Sequence, residues 1–177
     1  MLNKTENSAP TINRLVIIGL GLIGSSLAVA AREQGLAKTV IGISRRTSTL
    51  ELALESGIID RACESLESVA SELDTGDLVV IGVPTLTVPS VIAACHQCLS
   101  DKVTITDVAS VKGSVVKAVA DIFGKLPNQF VPGHPIAGSE KSGVKAADSQ
   151  LFKDHRVILT PHGADDCDHL RLVSTLW

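Results

Sequence analysis

Short runs of apolar, largely β-branched residues recur along this chain, and segments with a helical pattern separate them. The runs are Leu15–Ile18, Val40–Ile43, Leu78–Ile81, Val103–Thr106, Phe130–Val131 and Val157–Leu159. Most of these runs are continuously apolar and do not alternate with polar residues, which is typical of strands that are covered on both faces. The pattern therefore predicts an α/β fold in which helices cover both faces of a doubly wound, mostly parallel sheet.

The intervening segments carry signals for the beginnings and ends of helices. Helices are predicted over Ser25–Gln34, over Ser48–Ser56, from Thr87 and Pro89 to Leu99, from just after Ser110 to Phe123, and over Asp165–Trp177. Gly35 and Gly57 follow the first two patterns, as expected of left-handed residues just beyond the C-termini of helices. The regular alternation of strand and helix supports the parallel sheet.

The composition is that of one compact domain. With 177 residues, of which 45% are hydrophobic, the chain can bury a sizeable core. We expect residues 1–12 to form a flexible polar tail and residues 13–177 to form the domain. The 16 basic and 19 acidic residues are mixed along the chain, without the basic stripe that binding to a phosphate backbone requires. We therefore expect no nucleic-acid partner.

One charge-free segment, Leu15–Ala31, superficially resembles a signal or membrane sequence. It is shorter than the roughly 20 residues that cross a bilayer, and Gly19, Gly21 and Gly24 interrupt it. The first ten residues also lack the apolar core of a secretory signal. We expect a cytoplasmic protein that does not interact with membranes.

The chain has four cysteines, and only Cys95 and Cys98 have the spacing of a motif. A Cys-His-Gln-Cys sequence is compatible with a redox pair or with half of a zinc site, but no second pair follows it. Because both thiols lie in an apolar helical run, structural cysteines are favoured. His162, Cys167 and His169 lack a fourth ligand, so no metal site is predicted.

A glycine-rich turn, Gly19-Leu20-Gly21-Leu22-Ile23-Gly24, lies between the first predicted strand and the first predicted helix. In this context the first glycine permits a tight turn, the second lets the backbone approach a pyrophosphate, and the third lets the helix pack closely on the strand. The phosphates then lie at the positive N-terminus of the helix. The turn predicts a Rossmann-type domain that binds a dinucleotide.

The end of the second predicted strand bears on which dinucleotide is bound. The position about 20 residues beyond Gly24 commonly holds an acidic residue for the adenosine ribose. Here that position is Ser44, and Arg45 and Arg46 follow it. Two guanidinium groups and a hydroxyl favour a 2′-phosphate, which a carboxylate would repel. NADP is therefore the favoured cofactor, and NAD is the alternative if the arginines are solvated surface charges.

Three further segments follow predicted strands at the sheet edge where ligands of such folds bind. Val83-Pro84-Thr85 is predicted to contact the cofactor. Ser110, within Asp107–Gly113, is predicted to face the nicotinamide or to cap its helix, and the two roles are compatible. His134 lies in a predicted glycine-rich loop, Gly133–Gly143, where it either transfers a proton or hydrogen-bonds the local backbone.

Together, the glycine turn and two later motifs closely resemble the prephenate/arogenate (cyclohexadienyl) dehydrogenases of tyrosine biosynthesis. The later motifs are Asp107-Val-Ala-Ser110-Val-Lys112-Gly113 and Gly133-His134-Pro-Ile-Ala-Gly138-Ser-Glu140-Lys-Ser-Gly143. Leu151-Phe152 and Val157–Pro161 continue the resemblance in the same order. The resemblance covers nearly the whole chain, and its later motifs are more specific than the glycine turn.

The resemblance implies oxidative decarboxylation of prephenate or arogenate, with hydride moving from ring carbon C4 to the nicotinamide. It implies that His134, in its neutral form, accepts a hydrogen bond from the C4 hydroxyl and then takes its proton. Ser110 would orient the histidine, the hydroxyl and the nicotinamide. Ser139 and Glu140 would lie beside the substrate.

The chain departs from this family at its end. Family members continue into a helical domain that forms a homodimer and supplies an arginine for the substrate carboxylate, whereas this sequence ends at Trp177. Lys112 and Lys141 are expected to be surface or anion-steering charges. A catalytically silent NADP-binding module and another β-hydroxyacid-type dehydrogenase are the alternatives. A short-chain dehydrogenase is excluded because its Tyr-x-x-x-Lys pair needs a tyrosine, which this chain lacks.

Overall fold

Strands and helices alternate along the computed structural model, which describes residues 11–162 and 167–177. The strands are β1 (Ile12–Ile18), β2 (Ala37–Ile43), β3 (Arg61–Cys63), β4 (Leu78–Ile81), β5 (Thr104–Asp107), β6 (Phe130–Val131), β7 (Gly133–Pro135) and β8 (Val157–Leu159). The α-helices are α1 (Leu22–Glu33), α2 (Thr47–Glu55), α3 (Glu67–Ala70), α4 (Val88–Cys98), α5 (Lys112–Phe123) and α6 (Asp168–Leu176). Short 3₁₀ helices cover Thr85–Thr87 and Val144–Ala146.

The first six strands form one parallel sheet in the order β3-β2-β1-β4-β5-β6. β1 lies at its centre, where Leu15 is in register with Val40 of β2 on one side and with Leu78 of β4 on the other. This confirms the predicted doubly wound α/β fold of the Rossmann type. Because the strand order reverses between β1 and β4, a crevice opens at the carboxyl ends of these two strands.

Each face of the parallel sheet is covered by its own set of helices. In β1, Leu15 and Ile17 pack with α1, α2 and α6, whereas Val16 and Ile18 pack with α3, α4 and α5. Successive side chains of a strand point to opposite faces. A strand that is buried on both faces is therefore largely apolar, which explains the continuous apolar runs of β1 and β4. β5 differs, because Thr104, Thr106 and Asp107 are buried in it as well.

β7 and β8 form a separate two-stranded antiparallel sheet. The predictions that residues 157–159 join the parallel sheet and that His134 lies in a loop are both wrong. Pro132 follows β6 and has no amide hydrogen with which to extend the ladder. The chain therefore leaves the parallel sheet there, and residues 133–135 pair with residues 157–159. His134 lies at the centre of β7, opposite Ile158.

Several element boundaries differ from the predicted ones. β1 begins at Ile12, which is fully buried, so the predicted tail over residues 1–12 extends too far; residues 1–10 lie outside the described part of the chain. α6 begins at Asp168, and its predicted start at Asp165 also lies outside that part. β3 and α3 have no predicted counterpart because, at three and four residues, they are too short to carry a periodic pattern.

The cysteine motif lies on α4 and consists of free thiols. Burial raises the pKa of the Cys95 thiol to about 12, and the Cys98 thiol donates a hydrogen bond to the Ala94 carbonyl oxygen at 2.6 Å. Within residues 11–162 and 167–177, no cluster of three or more His, Cys, Asp or Glu side chains is placed to hold a metal ion. Over the same ranges, none of the helices is both long enough and apolar enough to cross a membrane.

Candidate active site

The predicted glycine turn joins β1 to α1 through very close backbone contacts. Gly19 has a φ of 101°, and a Cβ there would lie 2.6 Å from the Gly82 carbonyl oxygen. A Cβ on Gly24 would lie 2.2 Å from the Gly19 carbonyl oxygen, so both positions require glycine. By contrast, a Cβ on Gly21 would meet nothing within 4 Å. The open space beside Gly21, at the N-terminus of α1, suits a phosphate group.

A cleft of about 940 Å³ opens at the carboxyl ends of β1 and β4, and several predicted segments meet in its wall. The predicted site residues that line it are Gly19, Leu20, Gly21, Leu22, Ile23, Ser44, Arg45, Arg46, Val83, Pro84, Thr85, Ser110 and Ser139. Gly24, His134 and Glu140 are not in the wall. The cleft therefore joins the glycine turn, the segment after β2 and the Ser110 loop into one site.

The wall also contains residues to which the sequence assigns no role. Ser65, Leu66 and Glu67 enter it from the connection between β3 and α3, and Val144 enters from the second 3₁₀ helix. Hydrogen bonds from its own backbone amide and from the Ser65 hydroxyl lower the pKa of Glu67. The sequence gives no signal for this contribution because β3 is too short to form an apolar run.

Ser44, Arg45 and Arg46 connect β2 to α2. Both arginines are exposed, and the Arg46 amide donates a hydrogen bond to Ser44 Oγ at 3.2 Å. α2 begins at the next residue, Thr47, so the positive end of this helix follows the two guanidinium groups directly. The segment combines three sources of positive potential with a hydroxyl, and the Glu67 carboxylate lines the same cleft.

Next to the Ser110 loop, Asp107 and Lys112 form a buried ion pair. The Asp107 side chain is fully buried, and that of Lys112 is 18% exposed. Asp107 Oδ2 accepts hydrogen bonds from Lys112 Nζ and from the Ala109 amide, the latter at 3.0 Å, and Oδ1 accepts one from the Gly133 amide at 3.3 Å. Lys112 Nζ also donates to the Gly133 carbonyl oxygen at 2.6 Å. The expectation that Lys112 is a surface charge is therefore wrong.

Burial shifts the pKa values of both members of this pair towards their neutral forms. Loss of hydration raises the pKa of Asp107 and lowers the pKa of Lys112. The attraction between the two charges opposes both shifts, and the hydrogen bonds from the Ala109 and Gly133 amides oppose the shift of the Asp107 pKa. Each charge therefore depends on the other to remain ionised in this position.

Ser110 and His134 lie on two different elements beside this ion pair. α5 begins at Lys112 with Val111 at its N-cap position, so the alternative in which Ser110 caps this helix is wrong. Ser110 is exposed, and His134 is partly exposed. Among the residues that the structure describes, the His134 ring has no hydrogen-bond partner. The alternative in which this ring hydrogen-bonds local backbone is therefore also wrong.

The segment between β7 and β8 brings Ser139 to the cleft. Ser139 Oγ accepts a hydrogen bond from the Lys141 amide at 3.2 Å, and both residues line the cleft. Glu140, between them in sequence, is exposed and does not line the cleft. Of the two predicted substrate contacts, only Ser139 reaches the cleft in this structure.

The chain has relatives of known function. Residues 27–177 match the family described as prephenate dehydrogenase, nucleotide-binding domain. The chain is 35% identical over 164 residues to the cyclohexadienyl dehydrogenase of Zymomonas mobilis, and this alignment covers 92% of the chain and 54% of that protein.

Two solved structures have the same fold at higher than 25% identity. Prephenate dehydrogenase from Aquifex aeolicus, in complex with hydroxyphenyl propionate and NAD+, has a TM-score of 0.83 at 34% identity, over 94% of this chain and 57% of that one. Arogenate dehydrogenase from Synechocystis has a TM-score of 0.80 at 30% identity, over 92% and 55%. The chain spans about half the length of these relatives. Its glycine turn, its cleft and these similarities show that it belongs to the prephenate dehydrogenase family, as a nucleotide-binding domain.

Proposed function

We propose that this chain is the cofactor-binding part of a dehydrogenase that oxidatively decarboxylates prephenate, arogenate or both in tyrosine biosynthesis. The observation that carries the proposal is the cleft, because the glycine turn, Ser110 and Ser139 line it together. The names of the relatives support the reaction: they include a prephenate, an arogenate and a cyclohexadienyl dehydrogenase.

The turn fits a nicotinamide dinucleotide. The space beside Gly21 would admit the pyrophosphate, and Gly19 and Gly24 hold the turn in place by contacts that no side chain would allow. Val83, Pro84 and Thr85 follow β4 on the way from this turn towards Ser110 and would flank the nicotinamide end. The bound nicotinamide would supply the acceptor for the hydride.

His134 is the proposed proton acceptor. In its neutral form the imidazole would accept a hydrogen bond from the C4 hydroxyl of the substrate ring and take that proton as hydride leaves C4. The bond between the ring and its carboxylate then breaks as carbon dioxide departs. Its electron pair completes an aromatic ring, and the C4 oxygen, left as a phenolate, takes a proton back. Ser110 would orient the hydroxyl, and Ser139 and Glu140 would contact the substrate. The absence of a protein partner for the His134 ring in the described residues supports this role.

The test is the variant His134→Asn, with His155→Asn as a matched control because His155 is exposed and its ring bonds the nearby Lys153 carbonyl oxygen. Each is assayed in the 177-residue chain and in this chain joined after Trp177 to the remainder of the Zymomonas mobilis relative. We expect His134→Asn to lower kcat by roughly 10²- to 10⁴-fold, with cofactor affinity unchanged. Full turnover by this variant would refute the assignment.

A second candidate function is nucleotide binding without turnover. It is favoured by the family match, because the model that matches residues 27–177 describes a nucleotide-binding domain. Cofactor binding by the 177-residue chain, with turnover only in the joined protein, would support this candidate for the chain alone.

We propose NADP in preference to NAD. Arg45, Arg46 and the N-terminus of α2 would hold the 2′-phosphate, and Ser44 would contact the ribose. We expect Arg45→Ala and Arg46→Ala each to lower the NADP-to-NAD affinity ratio by about tenfold. The exposed Arg61, which pairs with Glu72 outside the cleft, provides the control Arg61→Ala. An unchanged ratio in both cleft variants would favour NAD.

The resemblance also implies assembly as a homodimer through a helical domain, and the apolar pattern of the first 31 residues predicts a location in the cytoplasm; we propose both. Sedimentation of the 177-residue chain beside the joined protein tests the first, with dimers expected only for the joined protein. Cell fractionation of the native protein tests the second.

A further inference from the structure

The two elements that carry Ser110 and His134 are fastened to one buried carboxylate. Asp107 Oδ2 binds the amide of Ala109, the residue before Ser110, and Oδ1 binds the amide of Gly133, the residue before His134. Lys112 Nζ pairs with the same carboxylate and binds the Gly133 carbonyl oxygen at 2.6 Å. Both groups of the proposed reaction therefore directly follow a residue whose backbone is hydrogen-bonded to this ion pair.

The ion pair binds the main chain of β7 on the side that faces away from β8. On one side of β7, the Pro132 carbonyl oxygen and the Ile136 amide bond to residues 160 and 156 beside β8. Along an antiparallel strand, main-chain groups point alternately to either side, so those of Gly133 point away from β8. Asp107 and Lys112 satisfy both of them. β7 is therefore held between β8 and the ion pair.

The approach of β7 to β5 depends on glycine at position 133. A Cβ there would lie 2.8 Å from the Asp107 carbonyl oxygen and 3.2 Å from Thr106 Oγ1. The lack of a side chain at position 133 therefore allows the strand that carries His134 to lie this close to the end of β5. Neither Asp107 nor Lys112 lines the cleft, so the pair acts on the site from outside it.

A buried ion pair is an inefficient source of stability. The loss of hydration of the two charges offsets much of their attraction, and apolar replacements of similar size often stabilise a fold as well or better. The pair does supply directional hydrogen bonds, because the carboxylate oxygens accept them and the ammonium group donates them in preferred geometries. Its place at the junction of two site elements therefore points to positioning.

We propose that Asp107 and Lys112 are positioning residues that set the separation between the Ser110 hydroxyl and the His134 ring. This inference rests on the proposed function of His134. Proton transfer to an imidazole requires the heavy atoms to approach to about 2.6–3.2 Å. If β7 moved by about 1 Å, the rate of the reaction would fall by roughly 100-fold, while the cofactor would still bind to the glycine turn.

The test compares Lys112→Met with Lys117→Met. Lys117 lies on the same helix and also pairs with an aspartate, Asp121, but both side chains are exposed. In the joined protein, we expect Lys112→Met to lower kcat by about 10- to 100-fold, with the KM for cofactor changed by less than about twofold. Lys117→Met should match the parent protein in both constants.

Two further measurements do not depend on turnover or on one variant. In the 177-residue chain, amide NMR signals of Gly133, His134 and Ser110 should shift in Lys112→Met and stay in place in Lys117→Met. Lys112→Arg, which keeps the charge and should fold, is expected to lose less activity than Lys112→Met. A parallel loss of kcat and cofactor affinity would indicate a merely structural role and overturn the proposal.

The outcome is separable from that of the proposed function. If His134→Asn impairs turnover and Lys112→Arg and Lys112→Met do not, the positioning role is wrong and the function stands. If His134→Asn has no effect, the proposed function fails. Unshifted signals of Gly133 and His134 in Lys112→Met would refute the positioning role on structural grounds, whatever the turnover.

Discussion

Two buried aspartates have similar partners in the parallel sheet. One lies at its amino edge, where the strands begin, and the other lies at its carboxyl edge, where the strands end. Asp77 lies just before β4 and is 1% exposed, and Asp107 ends the neighbouring strand β5 and is fully buried. Asp77 pairs with Arg14 at 2.8 Å and accepts hydrogen bonds from the amides of Arg14 and Asp74 at 2.9 Å each. Asp107 likewise pairs with one cation and accepts two amide bonds.

The same kind of buried ion pair has different consequences at the two edges. The partners of Asp77 lie on β1 and in the turn before β4, so this pair ties together the beginnings of two central strands. The partners of Asp107 adjoin Ser110 and His134. Because ligands of parallel α/β sheets bind at the carboxyl ends of the strands, a buried pair there acts on a site. At the amino ends, it acts only on stability.

The largest expected effect on stability is at the amino edge. Asp77→Ala removes the partner of Arg14 and leaves two amides without acceptors, so we expect the free energy of unfolding to fall by about 2–4 kcal/mol. The side chain of Arg14 is 37% exposed, so its guanidinium group can regain hydration, which limits the loss. Urea unfolding measures it. Cofactor affinity of the folded variant should stay within about twofold, and a larger loss would break the contrast between the edges.

At the carboxyl edge, Gly133→Ala should impair both stability and the site. The added methyl would lie 2.8 Å from the Asp107 carbonyl oxygen, and we expect a loss of about 1–3 kcal/mol from overpacking together with a lower kcat in the joined protein. Gly113→Ala on α5 is the control, since a Cβ there meets nothing within 4 Å. Alanine favours a helix, so the control should be neutral or stabilising by up to about 1 kcal/mol.

The pH dependence of stability should change when Lys112 is removed. The pKa of Asp107 is already raised above 3.8 by burial, and Lys112→Met would raise it further. Above pH 3.8 the folded variant then keeps a proton that the unfolded chain has released. Its free energy of unfolding therefore falls as pH rises towards the folded pKa, by up to about 1.4 kcal/mol per pH unit.

Urea unfolding between pH 4.5 and 7 measures this slope, taken relative to the parent protein. The double variant Asp107→Asn with Lys112→Met lacks the titrating carboxyl and should lose the added slope. A Lys112→Met protein whose slope equals that of the parent would show that Asp107 does not depend on Lys112 for its charge.

The smallest effect is expected for the exposed pair on α5. Lys117 Nζ lies 2.5 Å from Asp121 Oδ2, but the two side chains are 74% and 62% exposed. We expect Lys117→Ala to change the free energy of unfolding by less than about 0.5 kcal/mol, with no effect on cofactor affinity. Thermal and urea unfolding check this, and a loss comparable to that of Asp77→Ala would contradict the role assigned to burial.

The sequence was sufficient for the parts of the fold that repeat a local pattern. Continuous apolar runs identified β1, β2 and β4 because both faces of these strands are buried, and the β-branched run Val103–Thr106 identified β5. The glycines of the turn were recognisable because the close contacts at Gly19 and Gly24 exclude every other residue. Most of the predicted residues that line the cleft followed from their positions just after strands.

The sequence was insufficient where long-range pairing decides the outcome. β7 and β8 are three residues each and gain their partners from each other, so neither a loop nor a place in the main sheet could be distinguished locally. Ser110 was compatible with capping until Val111 was found at the N-cap. Glu67 entered the cleft through a strand too short to recognise.

The amino-acid sequence alone determined the Rossmann-type fold and the glycine turn, because both follow from local patterns. These patterns are the repeated apolar runs and the spacing of the glycines after the first run. Only the tertiary structure decided the role of Lys112. In the sequence, Lys112 and Lys117 are two lysines of one amphipathic helix, each within five residues of an aspartate. The fold buries the first between β5 and β7 and leaves the second in water. Burial, which a local sequence does not encode, makes one pair a structural link and the other a surface contact.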